Sequence, residues 1–401
     1  MLAMMKRLVW PFAAGIVGIA LMGAAYADLP VDYWDHPAAT QGVAPHDWPA
    51  LEGKLAPEAC AQCHAAQFKD WKNSLHAQAF SPGLIGQFPH QGIEDSNDCL
   101  KCHAPLAEQK YADMQQLNAS LARKLKTPQG FSPDAEVQEN PLPLRHAGVT
   151  CAACHVRGWQ RFGPPQRATG LTGKVKGPVH NGFTGSKSFE KSEFCASCHQ
   201  FPADYAINGK PLENTLVEWQ QSRFPAEGVQ CQTCHMPDRK HRFKGIHDPA
   251  TVREGLDIES GIHPGKASLS ITSSRIGHAF PTYVTPKVTV TIEALGAQGQ
   301  VFKLEHWEIE RRVAYDDGWK EISDTRLLPG KKRIYTLSAL PPQTHTVRFR
   351  IDVIPDNFYK GVYRELLDDG LSGDAGKLIR QAQDAAEQND YRLYEHEEVL
   401  N

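Results

Sequence analysis

The chain has 401 residues, 41% hydrophobic and 22% charged, with a formal net charge of −3. That size and composition fit a soluble globular protein of about two or three domains and exclude a chain disordered throughout. The slightly acidic balance leaves no basic footprint for nucleic acid, so that class is set aside.

The chain opens MLAMMKRLVWPFAAGIVGIALMGAAYADLP. Lys6 and Arg7 form a positive start, Leu8 to Gly23 an apolar stretch, and Ala25-Tyr26-Ala27 an A-x-A cleavage site, the order of parts in a secretory signal. Residues 1–27 are therefore expected to be removed, leaving a mature chain that begins at Asp28 and works in the periplasm or elsewhere outside the cytoplasm. An uncleaved anchor competes with this reading, but glycines interrupt the apolar run and it is barely long enough to span a bilayer.

Residues 28–58, with Trp34, Trp48 and several prolines, read as an extended arm leading to the first of five CxxCH motifs. These are Cys60/Cys63/His64, Cys99/Cys102/His103, Cys151/Cys154/His155, Cys195/Cys198/His199 and Cys231/Cys234/His235, and they use all ten cysteines. Two thiols three residues apart can add across the two vinyl groups of one porphyrin, and the next residue lies where its imidazole meets the iron. Five covalently bound haem c groups are implied, with the arm wrapping the first. A zinc reading needs four ligands per site, and five CxxC pairs leave a remainder. A disulfide framework suits an exported chain but has no use for a histidine after every pair.

Successive motifs begin 39, 52, 44 and 36 residues apart, so no fixed repeat is indicated. Internal echoes exist all the same: GVTCAACH (148–155) with GVQCQTCH (228–235), and WKNSLHA (71–77) with WQQSRFP (219–225), where Phe224 stands in the place of His76. Between motifs, short helical patterns such as 104–126 alternate with Pro/Gly loops, and 28–265 reads as one pentahaem cytochrome c domain. Near residue 266 the texture changes to alternating apolar and polar residues rich in Val, Ile and Thr, which predicts a small antiparallel β-sandwich of about six or seven strands over 266–355. Residues 356–401 read as a C-terminal helical segment broken at Gly370–Gly373. The expected fold class is α+β: short helices and loops around five haems, then the sandwich, then the helical segment.

Each haem iron has a second axial position, and the donors available to fill it decide between carrier and catalyst. Thirteen histidines lie outside the motifs, whereas Met114 and Met236 are the only methionines left once the signal is removed. Bis-histidine ligation is the expectation. The best-placed donors are His76 in FKDWKNSLHAQAF, His146 ahead of Cys151, His180 in KGPVHNGFTG, His247 in HRFKGIHD and His278 in SSRIGHAFPTYVTP. His241, His263 and His90 are secondary donors; His36, His46, His306, His345 and His396 read as surface or core residues.

The combination of CAQCHAAQFKDWKNSLHAQAF, EFCASCHQ, EWQQSRFPAEGVQCQTCHMPD, HRFKGIHD and GHAFPT resembles the multihaem c-type cytochromes of the cytochrome c-554-like group, over most of residues 55–365. The resemblance implies distal ligand roles for His76, in W-x-x-S-x-H-A, and for His278, in G-H-x-F-P-T. Where a glycine often follows F-P-T in that group, this chain has Tyr283. The wider superfamily includes enzymes related to hydroxylamine oxidoreductase and to nitrite or tetrathionate reductases; these keep one open haem, in some cases on a CxxCK motif, and this chain has no such motif.

The expected function is outer-sphere electron transfer along closely packed, mostly bis-histidine haems, without catalytic residues. Ionised propionates add roughly ten negative charges, so redox proteins with basic patches are the expected partners, such as other cytochromes or a quinol-oxidising or terminal reductase complex. Membrane contact would come through such partners, and a homo-oligomer is left open. Two alternatives are an oxidoreductase with one open haem acting on a small nitrogen or sulfur species, for which Phe224 is the sequence motive, and a haem-conducting subunit of a surface complex or filament.

Overall fold

The computed structural model describes residues 28–35, 41–46, 48–126, 144–166, 180 and 182–400. The proposed signal and His36 lie outside the described residues. No helix among them is long and apolar enough to cross a membrane.

Short helices carry the CxxCH motifs: Pro57–Ala61 leads into the first, and Phe88–His103, Cys151–His155, Glu193–His199 and Cys231–His235 end on the other four. In the first motif His64 N still donates to Cys60 O at 2.9 Å, so helical spacing carries through. Positions i, i+3 and i+4 share a helix face, which is why this spacing presents two thiols and an imidazole to one side. The 104–126 pattern resolves into a helix at Met114–Leu125, capped by Asp113 Oδ1 accepting from Gln116 N at 2.8 Å.

The largest apolar core lies in the C-terminal half. One antiparallel sheet orders Lys332–Ser338, Lys266–Thr272 and Asp257–His263; the other orders Tyr391–Val399, Thr346–Ile354, Lys287–Leu295 and Val301–Ile309. Alternation along Thr346–Ile354 buries Val347, Phe349, Ile351 and Val353, which share a core with Leu269, Ile271 and Leu337 of the other sheet. A two-stranded ribbon, Arg311–Tyr315 with Trp319–Asp324, lies beside them.

The helices Asn357–Asp368 and Gly373–Gln388 return to the motif region, where Ala375 and Leu378 join the cluster of Phe80, Phe88, Leu100 and Leu117. The approach is close. A Cβ on Gly83 would lie 2.0 Å from the Tyr363 hydroxyl oxygen. The helical expectation for 356–401 needs correction at its end, because Tyr391–Val399 is a strand paired with Thr346–Ile354. Its alternation is masked by the charged run in YRLYEHEEV, which faces outward from the sheet edge.

The N-terminal arm packs on the third motif as well as the first. Tyr33 Oη donates to Cys154 O at 2.6 Å and Trp34 packs edge-on against Phe194, while Glu52 Oε2 lies 3.5 Å from His180 Nδ1, next to His64.

Candidate haem centres

Three motif imidazoles are held in one tautomer. His103 Nδ1 lies 3.1 Å from Ala79 O, His155 Nδ1 2.8 Å from Phe162 O, and His235 Nδ1 2.7 Å from Lys244 O. A carbonyl only accepts, so these Nδ1 atoms carry the proton and each Nε2 lone pair is free for a metal. His199 Nδ1 instead meets a carboxylate, Glu213 Oε1, at 2.9 Å. Burial opposes protonation of His199, but Glu213 raises its pKa to about 9.

Four motif histidines face a second imidazole. Ring centroids are 5.9 Å apart for His64 and His180, 6.1 Å for His199 and His76, 6.1 Å for His155 and His241, and 6.3 Å for His235 and His278. Two imidazoles bound on opposite sides of one metal, each through a bond of about 2 Å, bring their centroids to roughly 6 Å. The pairs therefore fit two-imidazole iron centres. His241 and His278 also commit Nδ1 to carbonyls, of Arg239 and Ala279, each at 3.0 Å. Burial, with neighbouring histidine charge, pushes His76 down to about 3 and His155 down to about 4. A neutral ring is what a metal needs as a ligand.

Two sequence candidates lie elsewhere. His146 is buried with its ring stacked 5.0 Å from Phe80 and its Nε2 2.6 Å from Ser120 Oγ, and His247 Nε2 lies 3.0 Å from Asp356 Oδ1. Neither faces a motif histidine. The partner of His155 is His241, a secondary donor by sequence. The chain reverses between His235 and His241 through Asp238 and Arg239, both at positive φ (56° and 61°), a turn that no periodicity announces. Among the described residues no ring faces His103.

The internal echo is structural as well as textual. Trp71 Nε1 donates to Val149 O and Trp219 Nε1 to Val229 O; Val149 N donates to His76 O and Val229 N to Phe224 O. Phe224 thus occupies the position of His76, but it packs on Gly277, beside His278. His235 has His278 opposite, and among the described residues His103 is the motif histidine that no ring faces. Gly148 keeps the third-motif loop close: a side chain there, at φ 63°, would place Cβ 2.5 Å from His76 O.

The loop bearing His278 is fastened to the motif region by a buried acid. Glu218 Oε2 accepts from Ala279 N at 3.0 Å and from Thr282 Oγ1 at 3.3 Å, and Glu218 Oε1 pairs with Arg326 Nη1 at 2.8 Å. Thiols of different motifs are also neighbours: Cys60 lies beside Cys151, Cys102 beside Cys198, and Cys195 beside Cys231. All described cysteines are free, and no cluster of three or more His, Cys, Asp or Glu among the described residues could hold a metal ion by itself.

The ten motif thiols differ in exposure at Cys63 and Cys234. These two are exposed, whereas Cys60, Cys99, Cys102, Cys151, Cys154, Cys195, Cys198 and Cys231 are half-buried. Cys63 departs furthest from the common pattern. Its motif is the one that a helix does not enclose: Pro57–Ala61 stops short of it, and Cys63 lies in the turn before the helix Ala65–Lys72. The 3.2 Å bond from Cys63 N to Cys60 O is that of a turn, so the thiol sits on an open rim. A vinyl group can be reached from such a rim, because thioether formation needs the i, i+3 spacing and not burial.

Residues 55–248 match the family model described as "Outer membrane cytochrome MtrC/MtrF-like, domains II/IV". The fold is similar to the crystal structure of a penta-heme cytochrome c552 from Thermochromatium tepidum, with a TM-score of 0.58 and 19% identity over 87% of this chain and 100% of that one. No curated protein matches the sequence. Five CxxCH motifs, imidazoles paired at iron-like spacing and these two likenesses support a multihaem c-type cytochrome. That class implies covalently bound haem c and electron transfer.

Proposed function

We propose that this protein is a pentahaem electron carrier of the periplasm or cell exterior, with four haems held between two histidines. The ten motif cysteines anchor the rings, Cys63 and Cys234 at solvent-facing edges, and His64, His103, His155, His199 and His235 are the proximal ligands. His180, His241, His76 and His278 are the distal ligands opposite His64, His155, His199 and His235. Haem c supplies one-electron redox chemistry with little rearrangement when both axial positions are filled. The chain's part is to fix ligands by Nδ1 hydrogen bonds, exclude water with residues such as Trp71, Phe189 and Phe243, and set each potential by burial and charge.

Neighbouring thiols support a spatial order in which the first centre adjoins the third, and the second and fifth both adjoin the fourth. Cys154 also lies near Cys195, which supports proximity of the third and fourth. The likeness to outer membrane cytochromes favours a location beyond the cytoplasmic membrane, in keeping with the sequence reading of residues 1–27. Partners are redox proteins with basic patches that complement the acidic holoprotein.

The observation that carries this reading is the set of four imidazole pairs at 5.9 to 6.3 Å. Electron paramagnetic resonance of the purified oxidised protein tests it. Low-spin signals should account for four haems per chain and fall into two classes, because the ring planes of two pairs are near-parallel (12° and 17°) and those of the other two are tilted (38° and 41°). Low-spin intensity from fewer than four haems would overturn the ligand assignment.

A further inference from the structure

The two-stranded ribbon reaches across to the segment that follows the fourth motif. Along Arg311–Tyr315 the alternation turns Arg311 and Val313 to one buried face and leaves Arg312 exposed. That face meets a short hairpin, Ala206–Ile207 with Lys210–Pro211, whose turn residues Asn208 and Gly209 take φ of 53° and 72°. Val313 packs there with Ile207 and Val284.

Arg311 grips this hairpin by its backbone. Its side chain is 0% exposed; Nη1 donates to Pro211 O, and Nη2 donates to Ile207 O and to Lys210 O, each at 2.9 Å. On the ribbon side Nε donates to Glu321 Oε2 at 2.8 Å, and Glu321 also takes Asn208 Nδ2 at 2.9 Å and Lys210 Nζ at 3.0 Å. A guanidinium presents its donors in a rigid fork that a lysine ammonium does not reproduce. A buried ion pair adds little stability over an apolar filling, so the value of this one is the geometry it fixes.

That geometry ends on a motif histidine. Glu213 stands two residues beyond Pro211, and its Oε1 lies 2.9 Å from His199 Nδ1. Glu213 O accepts from Phe201 N at 2.9 Å, and Leu212 N donates to Tyr205 O at 3.3 Å. The segment that carries the carboxylate is therefore held at both ends, by Arg311 on the hairpin and by Phe201 beside the motif.

We propose that Arg311 is a positioning residue for the haem anchored by Cys195 and Cys198: by holding the hairpin it keeps the Glu213 carboxylate on His199 and so sets that haem's potential from the ribbon. The proposal rests on the haem reading above and adds to it a residue remote from the motif in sequence. A carboxylate on Nδ1 strengthens the imidazole as a donor and favours oxidised iron, so a displaced carboxylate raises the potential.

Redox titration of the holoprotein, followed by electron paramagnetic resonance, tests it. Glu213→Gln marks the haem concerned by raising its potential. Arg311→Lys should raise the potential of that same haem by roughly a threefold change in the reduced-to-oxidised ratio, about 30 mV for one electron, and leave the other four unshifted. In the Glu213→Gln background Arg311→Lys should add no further shift, because no carboxylate charge remains to be displaced. Arg312→Lys, on the exposed face of the same strand, should shift none. Should Arg311→Lys fail to take up haem, Glu321→Gln, which weakens the hold on Arg311 with a side chain of the same size, carries the same expectations. A potential moved by Glu213→Gln but not by the Arg311 or Glu321 variant overturns this proposal alone, as do additive shifts in the double variant or an equal shift in Arg312→Lys. Five potentials untouched by Glu213→Gln overturn the ligand role of His199 as well.

Discussion

Glu213 Oε1 lies 2.9 Å from His199 Nδ1, so one motif histidine leans on a carboxylate where His103, His155 and His235 lean on backbone carbonyls. A full negative charge at this position makes the imidazole a stronger donor and stabilises the oxidised iron. Glu213→Gln should keep the hydrogen bond, remove the charge and raise the midpoint potential of one haem by on the order of 60 mV, the equivalent of a tenfold change for one electron. A redox titration followed by electron paramagnetic resonance checks it; five unshifted potentials would contradict the assignment.

His241 and His247 lie six residues apart but have different partners. His241→Ala should convert one low-spin haem to high-spin, because His155 loses the imidazole 6.1 Å away. His247→Ala removes only the bond to Asp356 and should leave the haem spectrum unchanged. Paired spectra of the two variants decide it, and the reverse outcome would exchange their roles.

Arg326 and Glu218 form an ion pair with side chains 4% and 7% exposed. Removing one partner strands the other charge in a dry setting, at about 3 kcal/mol or more. Arg326→Ala should therefore lower the thermal midpoint clearly. Because Glu218 also fastens Ala279 N, the optical signature of the His278 haem should change as well. A variant as stable as the parent would show that the pair does not brace this loop.

Acid should loosen the same region. Burial works to raise the carboxyl pKa of Asp324, but hydrogen bonds and charge from Arg326 and Lys210 outweigh it and hold the pKa well below the usual carboxylate range. A group whose folded pKa is depressed contributes stability above its unfolded value of about 3.9 and loses it as pH falls below that point. Melting curves from about pH 6 down to about pH 3 should show the decline, and Asp324→Asn should flatten it by being less stable at the upper end.

Gly83→Ala tests the docking of the C-terminal helices. Its new Cβ would meet Tyr363 Oη at 2.0 Å and Cζ at 2.6 Å, so the helix Asn357–Asp368 has to shift. Overpacking of this kind costs about 1 to 3 kcal/mol. Denaturant unfolding gives the value, and Tyr363→Phe in the same chain should recover part of it by removing the nearest atom.

The CxxCH motifs were legible because their spacing is local chemistry: i, i+3 and i+4 on one turn need no tertiary information. The exposure of Cys63 was not, since it depends on where the first motif's helix stops and on what packs over the turn. His76, His180 and His278 were legible as donors from their contexts, but the motif each would face was not, since His76 belongs to the first motif's segment and faces the fourth motif's His199. His241 stayed secondary because a turn with two residues at positive φ brings it back, while His146 and His247 looked equally well placed in sequence and were taken by Ser120 and Asp356. The alternation of the β-strands was clear where one face is core, as in Thr346–Ile354. It was hidden in Tyr391–Val399, where an edge strand carries charge.

Intact-mass spectrometry of the denatured protein, made in a host able to attach haem, tests the central claim most directly, because thioether-bound haem survives unfolding. The account predicts the mass of a chain beginning at Asp28 plus five haems. A chain carrying fewer haems, or none, would contradict it.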